Sequence, residues 1–239
     1  MLRFLETNSS SISQDTFTNK FSNKKVLVMG SGPSVNAVNW KNLDYDCIVT
    51  TSFFYLNDEI RNLPNISHVT LTDLVDLEHP NLIKFLDKNP TCTVGFEPKS
   101  HPFYETKKYK KFNQKYKEQI IYYNTQYGKK EGVAGRVCYF IIQFSPTDLY
   151  YVGIDGKSPH PENDPQNAFR TQLRGDADGY AQNEFIESHL YFAGILYQTS
   201  LQTKTKLYNL GEGFGFNCST SYSKQHFPLS EEIKQKIKL

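Results

Sequence analysis

No apolar stretch in this sequence approaches the ~18 residues that a membrane-spanning helix needs. The opening residues MLRFLETNSSSISQDTFTNK mix acids, Ser and Asn without a continuous apolar core, so a secretory leader is not expected. Cysteine is sparse: Cys47, Cys92, Cys138 and Cys218 stand far apart, with no C-x-x-C pair and no Cys/His cluster of zinc spacing. A disulfide framework and a structural zinc site are thereby disfavoured, and packed, reduced thiols are expected. Net charge is also small, +2 from 27 basic and 25 acidic residues, so no global field recruits nucleic acid or an anionic membrane. No internal repeat is visible. These absences together suit a reducing cytoplasm.

What is present is a length of 239 residues, enough for one large domain with its own core. Residues 1–23 are polar and rich in Ser, Thr and Asn, and read as a tail or loosely docked arm before a domain spanning 24–239. From Lys25 the pattern changes to short β-rich apolar runs: Lys25–Met29, Cys47–Thr51, His68–Thr72, Thr91–Phe96, Leu149–Ile154 and Lys206–Leu210. Near-continuous runs of this kind are strands covered by helices on both faces. Helices are expected between and after them, at His79–Lys88, Gly135–Phe144, Asn183–Gln202 and Ser230–Leu239. The alternation predicts a single α/β domain, a Rossmann-like doubly wound and mainly parallel sheet with helices on both faces. The segment from about 156 to 179 is charged and poor in apolar residues, and reads as a long lid loop.

The first strand ends in Gly30-Ser31-Gly32-Pro33-Ser34. Glycines there allow a ligand or another backbone to approach closely. Pro33 suits the start of a helix whose free N–H groups bind phosphate, and Ser31 and Ser34 add hydroxyls. The loop has neither the Lys of a Walker A motif nor G-x-G-x-x-G spacing, and the same residues also suit a plain turn. A second feature lies in 103–127, where Tyr109, Phe112, Tyr116 and Ile120 recur at helical spacing among lysines. That pattern fits a surface helix with its aromatic stripe on the core, or a basic face for peripheral membrane contact.

Several segments together resemble the bacterial single-domain sialyltransferases that use CMP-activated sialic acid, and the related domain of motility accessory factors and 6-hydroxymethylpterin diphosphokinase-like proteins. They are KKVLVMGSGPSV, DCIVTTSFFYLND, GVAGRVCYFIIQFSPTDLYYVGIDG and KTKLYNLGEG. The resemblance implies a nucleotide site built from Gly30 to Ser34, from Ser52 after the second strand, and from Thr72 with Asp73 after the third. Ser52 and Thr72 stand where the sialyltransferases typically have Asn. The family's Arg-x-x-Ser-Gly stretch falls on Glu131 to Gly135, keeping the glycine and placing Ala134 at the Ser, with Lys129, Lys130 and Arg136 as nearby cations. Gly153, Ile154 and Asp155 preserve the family's Gly-Ile-Asp. Tyr180 lies nearest to the family's histidine base.

The implied activity is glycosyl transfer from a nucleotide-sugar donor, a CMP-sugar favoured, to a hydroxyl of a glycan or lipid-linked acceptor, with no obligatory cofactor. Such a reaction needs a phosphate cradle, positive charge for the leaving phosphate and a base. Lys157, Arg170 and Arg174 in the lid are the candidate cations. His160 and Tyr180 are the candidate bases, while an exposed loop position explains His160 equally well. Asp155 would hold a donor hydroxyl or a metal, or else cap a turn. Two alternatives stay open: a pterin diphosphokinase-like enzyme using ATP and magnesium, and a nucleotide-binding protein without catalysis.

Overall fold

The computed structural model describes residues 3–4, 14–72, 74–97, 105–125, 132–154, 182–211 and 228–238. Eight strands form one sheet: β1 (Arg3–Phe4), β2 (Lys25–Met29), β3 (Cys47–Thr51), β4 (Ile66–Leu71), β5 (Thr93–Phe96), β6 (Ile120–Asn124), β7 (Asp148–Val152) and β8 (Lys206–Asn209). Their order across the sheet is β1-β6-β5-β4-β3-β2-β7-β8. Every pairing from β6 to β8 is parallel, and β1 closes one edge antiparallel to β6. The expected doubly wound, mainly parallel α/β fold is therefore the fold observed.

The helices are α1 (Gln14–Phe21), α2 (Ser34–Ala37), α3 (Asp58–Arg61), α4 (Pro80–Lys88), α5 (Lys107–Lys115), α6 (Gly132–Ile142), α7 (Gln182–Thr203) and α8 (Glu231–Ile237). Local chemistry fixes several of their starts. Asn57, Thr106 and Ser230 each accept a backbone N–H from the first turn of α3, α5 and α8. Pro80 opens α4, where a missing N–H costs nothing.

Side chains alternate along β2, so that Leu27 and Met29 enter one core while Val26 and Val28 enter the other. The first core gathers Val35, Ile60, Leu82, Phe85, Tyr109 and Phe112 from α2 to α5. The second takes Phe17 and Phe21 from α1, Val137 to Ile142 from α6 and Leu196 from α7.

The structure departs from the sequence reading in two places. Within the stretch read as a polar arm, α1 buries Phe17 and Phe21 completely, because two aromatics four residues apart give one apolar face to an otherwise polar helix. The segment 103–127 is a helix followed by a strand: α5 ends at Lys115, and Ile120 to Asn124 form β6. The stripe Tyr109, Phe112 and Tyr116 lies on the first core, which leaves the lysines and Gln114 outward. Of these, Lys108 is paired with Asp76 and Glu78, and Lys115 with Asp87. Among the described residues no helix is long and apolar enough to cross a membrane.

Candidate functional site

From β2 the chain winds outward through β3, β4, β5 and β6, then returns to the other side of β2 as β7 and β8. The order reverses between β2 and β7, and such a reversal opens a crevice at the carboxyl ends of the strands, where open α/β sheets bind ligands. Residues Gly30 to Ser34 follow β2 and Gly153 follows β7, so both loops border that crevice.

The two loops are in direct backbone contact. Gly30 N–H donates to the Val152 carbonyl at 2.8 Å and Gly32 N–H to the Gly153 carbonyl at 2.9 Å. Gly153 N–H in turn donates to Ser34 Oγ at 2.9 Å. A Cβ on Gly30 would stand 2.4 Å from the Gly153 oxygen and 3.0 Å from the Ala134 Cβ, so no side chain fits. Gly153 has φ +74°, and a Cβ there would meet the Gly30 oxygen at 2.6 Å. The glycines thus serve backbone-to-backbone approach. Pro33, with φ −63°, caps a helix of only four residues. Val35 N–H and Asn36 N–H turn back on the Gly32 and Pro33 carbonyls. Ser34 is buried and Ser31 is half-buried at the crevice.

One strand over, Ser52 is buried with φ 40°, a left-handed conformation rarely held by a residue with a side chain. Its N–H donates to the Thr70 carbonyl at 2.8 Å, and its Oγ lies 3.5 Å from Thr72 Oγ1. Strain of this kind collects where surrounding structure holds a side chain for a purpose. Ser52 and Thr72, proposed from separate strands, are therefore brought together. Ala134 and Gly135 lie on the first turn of α6, with Ala134 against Gly30.

Farther along the same edge is a group that the sequence did not pair. Glu97 follows β5, Thr125 follows β6, and Arg136 reaches them from α6. Arg136 Nε donates to Glu97 Oε2 at 2.5 Å, and both side chains are almost buried. Glu97 Oε1 accepts Thr125 N–H at 3.0 Å and Thr125 Oγ1–H at 2.5 Å.

Behind the edge, His68 Nδ1 meets Thr93 Oγ1 at 2.8 Å and His68 Nε2 meets Thr70 Oγ1 at 3.1 Å. Thr70 Oγ1 continues to Tyr123 OH at 2.8 Å. Gly95 gives these rings room, since a Cβ there would fall 2.7 Å from Tyr123 and 2.8 Å from His68. Burial, with help from the charge of Lys20, pushes the His68 imidazole down to about 3, so it is neutral and enclosed, a structural group. Burial likewise pushes the Cys47 and Cys92 thiols up to about 11 and about 12. With Cys138 they are free and buried, as packed thiols should be.

Asp73, Asp155, Lys157, His160, Arg170, Arg174 and Tyr180 lie outside the described residues, as do Lys129, Lys130 and the lid. Among the described residues no three His, Cys, Asp or Glu side chains gather as metal ligands would.

No protein-family model matches the chain, and no curated protein matches it in sequence. Solved structures do. The monofunctional alpha-2,3-sialyltransferase Cst-I from Campylobacter jejuni superposes with a TM-score of 0.57 at 17% identity, covering 96% of this chain and 86% of that one. The sialyltransferase CstII of the same organism, in complex with CMP-3FNeuAc, gives 0.51 at 19% identity and 88% of each chain. CST-II with a trisaccharide acceptor and CMP gives 0.51 at 17% identity and 86% of each. At these identities the likeness is one of architecture: the chain is built on the same α/β fold as those sialyltransferases.

Proposed function

We propose that this protein is a glycosyltransferase that moves a sugar from a nucleotide-activated donor, CMP-sialic acid-like, to a hydroxyl of a glycan or lipid-linked acceptor. The observation that carries the reading is the carboxyl edge of the sheet, where Gly30 and Gly153 bring two backbones together after β2 and β7 and, beyond β3 and β4 beside them, strained Ser52 faces Thr72. Its support from outside is the fold shared with proteins solved with CMP, a CMP-sugar analogue and an oligosaccharide.

In this scheme the loop from Gly30 to Ser34, with Ser52 and Thr72, holds the donor, and Asp73, Asp155, Ala134 and Gly135 complete its binding. The acceptor oxygen attacks the anomeric carbon as that carbon's bond to the phosphate oxygen breaks. The bonding pair leaves on CMP. The acceptor proton passes to His160 or Tyr180. Lys157, Arg170 and Arg174 stabilise the charge growing on the leaving phosphate, a task that lets the scheme run without a divalent ion. Closure of the lid around them keeps water from the activated donor.

The test is CMP release from CMP-sialic acid, followed with and without an oligosaccharide acceptor and with and without magnesium. The expected result is acceptor-dependent release that needs no metal, and a lower turnover with nearly unchanged donor affinity in Arg170→Ala. Nucleotide binding with no release on any acceptor would reduce the protein to a binding module. Turnover of ATP with magnesium instead would move it to pyrophosphoryl transfer.

A further inference from the structure

Arg136 is the only buried Lys or Arg among the described residues, with 6% of its surface exposed. A guanidinium at such depth needs compensation for the water it has lost. Glu97 compensates one edge of it, through Nε, and Glu97 is itself fixed by Thr125. Only Nε of its three nitrogens is matched there, and the four N–H donors on Nη1 and Nη2 find no acceptor among the described residues.

The place of the guanidinium follows from the strands. Glu97 and Thr125 directly follow β5 and β6, on the carboxyl edge that also carries Ser52 and Thr72. Ala134, two residues before Arg136, touches the Gly30 position over β2. The first turns of α6 and the Arg136 side chain together thus reach from above the crevice towards β5, three strands from β2, or roughly 14 Å at ~4.8 Å per strand. A purely structural arginine this deep would spend its Nη donors on carbonyls or carboxylates. Here Glu97 orients the planar fork through Nε and no described residue takes the Nη donors, a fork that can take a carboxylate or phosphate with two parallel hydrogen bonds.

We infer that Arg136 is an oxyanion-binding residue of the substrate site, a role that rests on reading the carboxyl edge as that site. The shared ligand chemistry is a planar or tetrahedral oxyanion, supplied by the phosphate of the nucleotide or by a carboxylate on the transferred sugar. The test is side-chain 15N NMR of the intact protein, with the Arg136 signals assigned by their loss in Arg136→Lys. CMP, CMP-sialic acid and inorganic phosphate are then titrated separately. Arg136 shifts with both CMP and phosphate assign the phosphate; shifts with CMP-sialic acid alone assign the carboxylate. Arg136→Lys should weaken binding of the responding probe by about ten- to a hundredfold. Arg136 signals unmoved by all three probes would overturn the inference, and CMP binding seen elsewhere in the same spectra would leave the proposed function standing. Shifts with phosphate while CMP binds nowhere would keep the oxyanion site and remove the nucleotide reading.

Discussion

Gly30 and Gly153 face each other at the crevice with no space for a methyl group on either. Gly30→Ala should therefore destabilise the fold by about 1–3 kcal/mol, the usual cost of forcing atoms into a packed site. Urea unfolding should show this as a lower midpoint with an unchanged slope. Ser52 argues the opposite way. Its left-handed backbone costs roughly 1 kcal/mol that glycine would not incur, so Ser52→Gly should raise the melting temperature while weakening donor binding through the lost hydroxyl. A variant that is both less stable and unchanged in binding would place Ser52 in the framework alone.

His68 makes a third residue-scale prediction, in pH. Its folded pKa is depressed to about 3 from 6.5, so below about 6.5 the unfolded chain takes up a proton that the folded chain refuses. Stability from this group is complete above pH 6.5 and falls through the window down to about 3, by at most about 1.4 kcal/mol per pH unit. Against His68→Asn the wild-type protein should lose stability faster over that window; parallel curves would show that His68 is not held neutral.

At the scale of elements, strands were easier to read than their neighbours. Runs such as KVLVM and CIVTT declare themselves because both faces are buried, which leaves no polar alternation to confuse with a helix. The run IIYYN of β6 did not, since Ile120 falls in helical phase with Tyr109, Phe112 and Tyr116 of the preceding segment. α1 was hidden for another reason: only Phe17 and Phe21 carry its apolar face, and what they meet, Phe140 and Phe144, lies more than a hundred residues away. Phe17→Ala should cost about 3–5 kcal/mol, the range for emptying a buried aromatic site. A loss below ~0.5 kcal/mol, measured by denaturant unfolding, would mean that this helix is a dispensable arm after all.

At the scale of the whole molecule, the site comes from topology. That the glycine loop, Ser52 and Thr72 share one edge was legible because each follows or ends a recognisable strand, and a parallel sheet brings all such ends together. The pairing of Arg136, named only as a nearby cation, with Glu97 was not, because the sequence shows neither that β6 is a strand nor which strand ends a helix side chain will reach across 39 residues. The central claim is that this edge binds a nucleotide sugar donor, and isothermal titration of the intact protein with CMP, with and without magnesium, tests it most directly. The account predicts saturable, one-to-one binding that needs no metal and is lost in Gly30→Val. Heats indistinguishable from dilution, under conditions where the protein is folded, would contradict it.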